Sequence, residues 1–178
     1  NRLWLKHPSG EIDLSIAPYT YKMIRGIDFY NCCFDIIKKY KNIYFSQCEI
    51  SAVDEKQGFV YLNNQVYEGK IIFSSIPPAQ TFLKRGKLQL LQHFRGWWIE
   101  TTEDVFDSTV ADLMNFNTSQ HYGCTFVYVL PINKRKALIE YTLFSEAMLD
   151  SKEYDNGLRS FIKDKLKIKN FSIAEVEQ

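Results

Sequence analysis

The stretch CTFVYVLPINKRKALIEYTLFS, Cys124 to Ser145, decides the fold of this chain. Side chains alternate along its first half, so Phe126, Tyr128 and Leu130 share one face of a strand, while Thr125, Val127 and Val129 share the other. Both faces are largely apolar, which predicts a central strand that ends at Pro131. A polar turn at 133–136 and a return strand from Ala137 to Phe144 then complete an antiparallel hairpin.

One carboxylate, Glu140, lies within the apolar return strand. Period-2 geometry places it on the same face as Leu138, Thr142 and Phe144. Among such neighbours a carboxylate loses hydration, which raises its pKa and favours a proton donor near neutral pH. The alternative is a structural carboxylate that is exposed or paired with Lys or Arg across the sheet.

Two tryptophans, Trp97 and Trp98, follow each other in a strand predicted from Gln89 to Thr101. Its residues alternate, and Gly96 within it allows close backbone approach. The tryptophans fit a membrane interface or the lining of an apolar site. Packing in the protein core explains them equally well.

The composition excludes several classes of protein. A length of 178 residues suits about one domain, and a net charge of +1 argues against a dedicated nucleic-acid binder. No apolar run approaches the ~20 residues that span a bilayer. The four cysteines lack the spacing of a zinc site and are expected to be reduced core thiols in a cytoplasmic protein. The three histidines are too scattered for a metal centre or a nucleophilic triad.

The remaining chain completes an α+β fold with a mostly antiparallel sheet and packed helices. We predict an irregular segment at 1–21 with a possible short strand, and a β-meander at 43–76 followed by a loop at 77–86. A helix capped by Asp28 is predicted from Phe29 to about Tyr40, packed on a sheet. A second helix, capped by Ser151, is predicted to reach Lys167, and 171–178 is a tail or the start of a strand.

The segments QHFRGWWIET, DSTVADLMNF, FVYVLPI and ALIEYTLFS, in this order, resemble the lycopene cyclase family. These flavin-dependent enzymes close the ends of linear carotenoids into rings. The family's F-L-E-E-T type motif is similar to Leu138–Thr142, and its first acidic residue, regarded as the catalytic acid, falls on Glu140. The second acidic position is Tyr141 here, and the Asp of another family element is Asn115.

The resemblance implies the substrate domain of a two-domain flavoprotein of the FAD/NAD(P)-binding class. It implies that reduced FAD acts without net redox change and that Glu140 is the catalytic acid. The residues expected to contact the carotenoid are Trp97, Trp98, Tyr128 and Thr142. Arg25 matches a basic position in a Y-x-x-I-R-x-x-D-F-Y stretch and is expected to face the cofactor, with a surface salt bridge as the alternative.

None of the eight glycines forms the G-x-G-x-x-G turn that receives the pyrophosphate of FAD. We therefore expect residues 1–178 to be one domain, the middle fragment of a longer flavoenzyme that is inactive and binds little FAD by itself. A carotenoid substrate implies peripheral membrane contact through lysines near the C-terminus. The alternatives are a related flavin monooxygenase, halogenase or isoprenoid reductase, and a non-catalytic carotenoid- or lipid-binding module.

Overall fold

A computed structural model describes residues 2–54, 56–63, 65–75 and 90–178 of the chain. The chain forms two compact units, which we call unit 1 (Asn1–Met23 with Leu88–Gln178) and unit 2 (Ile24–Lys87). The described helices and strands follow one another in this order: β1 (Arg2–His7), β2 (Gly10–Ser15), α1 (Gly26–Ile37), β3 (Ile50–Asp54), β4 (Phe59–Leu62), β5 (Gln65–Glu68), β6 (Leu91–Glu100), β7 (Val110–Asn115), β8 (Cys124–Asn133), β9 (Lys136–Ser145), α2 (Ser151–Asp164) and β10 (Ser172–Glu177). The predicted α+β class is confirmed.

Unit 1 contains a seven-stranded sheet with the order β10-β6-β9-β8-β7-β1-β2. The predicted hairpin is its centre, since β9 pairs antiparallel with β8 on one side and with β6 on the other. The sheet is mixed because β1 pairs parallel with β7. Pro131 does not end β8 as predicted. The register shifts between Pro131 and Asn133, and such an irregularity accommodates a residue that has no backbone N–H to donate.

Both chain ends of unit 1 are more regular than the sequence indicated. A turn at Pro8-Ser9 joins two six-residue strands, β1 and β2, where a largely irregular segment with one short strand was expected. The last residues form β10, which pairs antiparallel with β6. The strand alternative for 171–178 is therefore the correct one, and the reason is tertiary, because β10 completes an edge that β6 leaves open.

Helix α2 covers one face of the sheet and forms the hydrophobic core with it. It contributes four buried side chains to this core, Tyr154, Leu158, Phe161 and Ile162. The helix is capped by Asp150 and not by Ser151, because the Asp150 carboxylate accepts from the Glu153 N–H in a capping box. It ends at Asp164, three residues before the predicted Lys167.

Unit 2 differs most from the prediction. Helix α1 begins after Arg25, so Asp28 lies in its first turn and does not cap it, and the helix ends at Ile37. It has no buried residue and packs against no described strand of the unit, in contrast to the predicted helix on a sheet. The meander has three strands, β3-β4-β5, and neither 43–49 nor 70–75 is strand. The predicted loop at 77–86 and residue 89 lie outside the described residues.

Three further expectations concern single residue types. The four cysteines are free, but none is a core thiol, since each is exposed or half-buried. Across the described ranges no group of three His, Cys, Asp or Glu side chains is placed to hold a metal ion. No helix in the part of the chain that the structure describes is long and apolar enough to cross a membrane.

A buried polar network holds α2 on the sheet and was not anticipated from the sequence. The Tyr154 hydroxyl hydrogen-bonds His93 Nδ1, His93 Nε2 lies 2.7 Å from Ser145 Oγ, and Ser145 Oγ donates to the Ala147 carbonyl at 2.6 Å. Because Ser145 gives its proton to Ala147, it accepts from Nε2. A neutral imidazole protonated at Nε2 then accepts from the Tyr154 hydroxyl at Nδ1, and burial favours this neutral form.

We expect the chain to lose stability as the pH falls through the ordinary His pKa of about 6.5. Burial lowers the pKa of His93 in the folded state, so the unfolded chain binds a proton that the folded chain does not. The stability that neutral His93 gives the folded state is therefore fully present above about pH 6.5 and is lost progressively as the pH falls below that value. Denaturant unfolding between roughly pH 5 and 8 tests this expectation.

The variant His93→Gln should remove most of this pH dependence. His121→Gln is the matched control, because His121 is exposed. If His121→Gln flattens the pH dependence of the free energy of unfolding as much as His93→Gln does, the buried network is not the source of that dependence.

Candidate functional site

The sheet face opposite α2 carries the candidate site, and we call it the Glu140 face. The register places Gly96 of β6 and Tyr128 of β8 directly beside Glu140 of β9. The same alternation adds further side chains from these three strands, namely Phe94, Trp98, Phe126, Leu130, Leu138, Thr142 and Phe144. Apart from Glu140 and Thr142, these side chains at the centre of the face are apolar or aromatic.

The Glu140 carboxyl is half-buried at the centre of this face. Burial raises its pKa, the neighbouring Glu177 raises it further, and a hydrogen bond from Thr142 Oγ1 to Oε1 at 2.7 Å acts in the opposite direction. No Lys or Arg is among the groups that shift this pKa. The predicted direction of the shift is confirmed, and an ion pair across the sheet is not what sets the protonation of Glu140.

Aromatic rings cluster on the β8 side of the Glu140 face. Phe126 is 2% exposed, and its ring centroid lies 5.4 Å from Tyr128, 5.5 Å from Phe116 and 6.1 Å from Phe144. Burial and the Glu140 charge raise the pKa of Tyr128, so its hydroxyl stays neutral. Aromatic faces attract a cation, and this cluster therefore suits a positively charged intermediate beside Glu140.

A gap on the β6 side lies between Glu140 and the edge strand β10. A methyl group at Gly96 would lie 3.1 Å from Leu138 Cδ1 and 3.7 Å from both Glu140 Cγ and Glu177 Cβ. Glycine therefore keeps the space beside the Glu140 carboxyl free. Next to this gap, Trp98 Nε1 donates to Glu177 Oε1 at 2.7 Å. Sequence reasoning missed Glu177, because only the pairing of β10 with β6 brings it to the Glu140 face.

The residues predicted to contact the substrate do not all come together. Tyr128 and Trp98 lie on the Glu140 face, and Thr142, 1% exposed, bonds the carboxyl and orients it. Trp97 points to the other face, where it is 1% exposed in the core under α2. The Arg159 guanidinium lies 4.9 Å from its ring centroid. Trp97 is thus separated from the other three by the sheet.

Arg25 lies in unit 2 at the N-terminus of α1. Its Nε and Nη2 donate to the Asp28 carboxylate at 2.7 and 2.9 Å, and the hydrogen bond from Arg25 lowers the pKa of that carboxyl. The salt bridge that was considered as the alternative is therefore present. A cofactor contact of Arg25 stays a prediction.

The two departures from the family motif lie on the α2-covered face and not beside Glu140. The Tyr141 ring packs against Gly157 of α2, where an added methyl group would lie 2.8 Å from it. Asn115 is buried and donates to Asp112 Oδ2 at 3.0 Å, and the Lys6 ammonium pairs with the same carboxylate at 2.9 Å. Both side chains are thus on the opposite side of the sheet from the Glu140 carboxyl.

A cavity of about 130 Å³ lies farther along this side of the sheet, toward β1. Its apolar lining includes Leu3, Ala111 and Leu130, and Leu130 follows Tyr128 on the same face of β8. Tyr21, which also lines the cavity, is close enough to Tyr128 to raise its pKa. The sequence offered one signal for this wall, the alternation of Leu3 and Leu5 around Trp4, which a largely irregular assignment of 1–21 overlooked.

Comparison with protein families identifies the chain. A family model described as lycopene cyclase protein matches residues 8–178. Comparisons with curated proteins and with solved structures gave no match. The family match includes every strand of the Glu140 face and extends over nearly the whole chain. The chain therefore belongs to the lycopene cyclase family.

Proposed function

We propose that this protein catalyses acid-initiated ring closure at the ends of a linear carotenoid, with Glu140 as the proton donor. Membership of the family supports a cyclase-like function on a carotenoid. The observation that carries the residue assignment is a half-buried carboxyl whose pKa is raised, on a face of aromatic and aliphatic side chains. A general acid near neutral pH requires such a shift.

The reaction balances without an external reactant. Glu140 transfers its proton to the terminal carbon–carbon double bond, which leaves a carbocation. The π electrons of a second double bond then form the new carbon–carbon bond of the ring, and the positive charge moves to a ring carbon. The Glu140 carboxylate removes a proton from the neighbouring carbon, which restores a double bond and the acid. The product is an isomer of the substrate.

The surroundings of Glu140 favour each step. Water would trap the cation, so the apolar side chains of the Glu140 face protect it. Tyr128, directly beside Glu140 on β8, offers a π face to the positive charge. Thr142 fixes one carboxyl oxygen through its hydrogen bond to Oε1, which leaves Oε2 to carry the transferable proton.

The described residues do not fit the pyrophosphate of FAD, the cofactor that the family implies. Dinucleotides bind at a helix N-terminus that follows a strand and a glycine-rich turn. Of the two described helices, α2 begins with a capping box whose carboxylates occupy the first backbone N–H groups, and α1 has Asp28 in its first turn. The use of reduced FAD by this protein thus stays a proposal. The reaction steps above use residues of this chain alone.

We expect the 178-residue chain to purify without bound flavin. The acidic helix N-termini would repel a pyrophosphate, and the sequence contains no glycine-rich turn to hold it. An absorbance spectrum of the purified chain, with and without added FAD followed by gel filtration, provides the measurement. A yellow protein that retains flavin through the column would contradict the expectation.

Expression of the complete gene in a host that accumulates lycopene tests the proposed function. Chromatography of the extracted pigments should show conversion of lycopene to a cyclic carotenoid. Unchanged lycopene that co-purifies with the protein would instead indicate a carotenoid-binding module. Conversion that consumes NAD(P)H in proportion to product would indicate a redox enzyme of the related flavoprotein class.

A further inference from the structure

We infer that Glu177 is a positioning residue that keeps the transferable proton on Glu140. The inference rests on the proposed function, since it concerns the acid that starts ring closure. Its basis is the register of three strands. Gly96 of β6 pairs with Glu140 of β9 on one side and with Glu177 of β10 on the other, so the three residues form one row across the sheet.

The glycine in the middle of the row determines how the two carboxyls face each other. A side chain at position 96 would touch both neighbours, because its first carbon would lie 3.7 Å from Glu140 Cγ and 3.7 Å from Glu177 Cβ. With glycine there, no side chain of β6 separates the two acids. They flank the same gap on a half-buried surface.

Trp98 holds Glu177 in this place. Its indole Nε1 donates to Glu177 Oε1 at 2.7 Å, and the Trp98 side chain is 4% exposed and cannot follow Glu177 into solvent. A hydrogen bond from a fixed donor to a carboxylate is stronger than a neutral one. Glu177 is therefore a fixed negative charge beside the Glu140 face.

A fixed negative charge opposes the ionisation of a second carboxyl close to it. Among the described residues, no Lys or Arg shifts the pKa of Glu140, so no positive charge offsets this negative one. The groups directly beside Glu140 are Thr142 on its own strand and Tyr128 on β8, and Glu175 of β10 pairs with Trp98, two residues farther along β6. Glu177 thus allows Glu140 to stay protonated, and to act as a proton donor, up to a higher pH. The Glu177 charge is accordingly one of the causes of the raised pKa of Glu140.

The test is a pH titration of Glu140 that requires no substrate. Carboxyl carbons of ¹³C-labelled glutamate are followed by NMR in the chain, and the Glu140 signal is identified by its loss in Glu140→Gln. We expect Glu177→Gln to move the titration midpoint of Glu140 to lower pH. Glu175→Gln is the matched control, because it removes the same charge from the same strand and leaves in place the Glu177 carboxylate that accepts from the Trp98 indole, and its shift should be smaller.

Trp98→Phe provides a second route to the same effect, because it releases Glu177 without removing its charge. It should also move the midpoint of Glu140 downward, by less than Glu177→Gln does. The inference is overturned if Glu177→Gln leaves the midpoint unchanged, or if Glu175→Gln shifts it equally far.

The pH profile of ring closure in the complete enzyme separates positioning from a structural role. In Glu177→Gln the alkaline limb of kcat should move to lower pH while the acidic plateau is retained, and Glu177→Asp should restore the limb. A loss of rate at all pH values with an unmoved limb would contradict the inference. A shifted NMR titration in a protein that forms no rings would confirm the coupling and refute the proposed function, so the two failures are distinguishable.

Discussion

Replacing Glu140 by glutamine in the complete enzyme is expected to abolish ring formation, with a loss on the order of 100- to 10,000-fold in kcat. The amide keeps the size of the side chain and can still accept the hydrogen bond from Thr142, but it has no proton to give at neutral pH. Pigment chromatography in a lycopene-accumulating host measures the loss. The structure offers no second acid in the same row except Glu177, whose carboxylate accepts from Trp98.

The pH dependence of the wild-type enzyme follows from the same group. Ring closure needs the protonated form of Glu140, so the rate should fall as the pH rises through the pKa of Glu140, which burial has moved upward. The sign for stability is the opposite of that for an ion-paired carboxylate. Because the pKa of Glu140 is raised in the folded state, this group favours folding below about pH 4.3, the pKa of a glutamate in the unfolded chain. At neutral pH the same group disfavours folding.

Glu140→Gln should therefore be at least as stable as the wild type at neutral pH, with the difference disappearing in acid. Glu146→Gln serves as the control, since Glu146 is exposed in the residues after β9. The control should keep wild-type activity and stability. A Glu140→Gln enzyme that cyclises lycopene at the wild-type rate would remove Glu140 from the mechanism.

The centre of the fold and the acid at its centre could be predicted because their signal is local. Alternation along β8 and β9 determined which residues share a face, and a single carboxylate among apolar neighbours pointed to Glu140. Alternation also separated Trp97 from Trp98. It could not tell which face α2 covers, and for that reason both tryptophans were predicted to line the site although only Trp98 lies on the Glu140 face.

The parts that could not be predicted depend on contacts between distant segments. Glu177 reaches the Glu140 face only because β10 pairs with β6, about eighty positions earlier in the chain. The cavity wall at Leu3 depends on the parallel pairing of β1 with β7. A short segment gives no indication of its partner, and a polar-rich stretch such as SIAEVE is a strand only when an open edge receives it.

Gly123→Ala is expected to be the most destabilising of the glycine substitutions in unit 1, with a cost of about 2–4 kcal/mol in the free energy of unfolding. Gly123 precedes β8 and has a φ of +129°, a conformation that disfavours side chains. A methyl group there would lie 2.5 Å from the Phe144 carbonyl oxygen and 3.2 Å from Ser145 Cβ. The first contact is with backbone, so no rotamer change relieves it.

The resulting shift would reach the candidate site, because Gly123 fixes the start of β8 against the end of β9, where Phe126 and Phe144 pack together. Denaturant unfolding of the purified chain measures the cost, and Gly10→Ala is the matched control. An added methyl at Gly10 meets nothing within 4 Å, so its effect should stay within about 0.5 kcal/mol. Equal midpoints for the two variants would show that the backbone contact at Gly123 does not set the register of the β8–β9 hairpin.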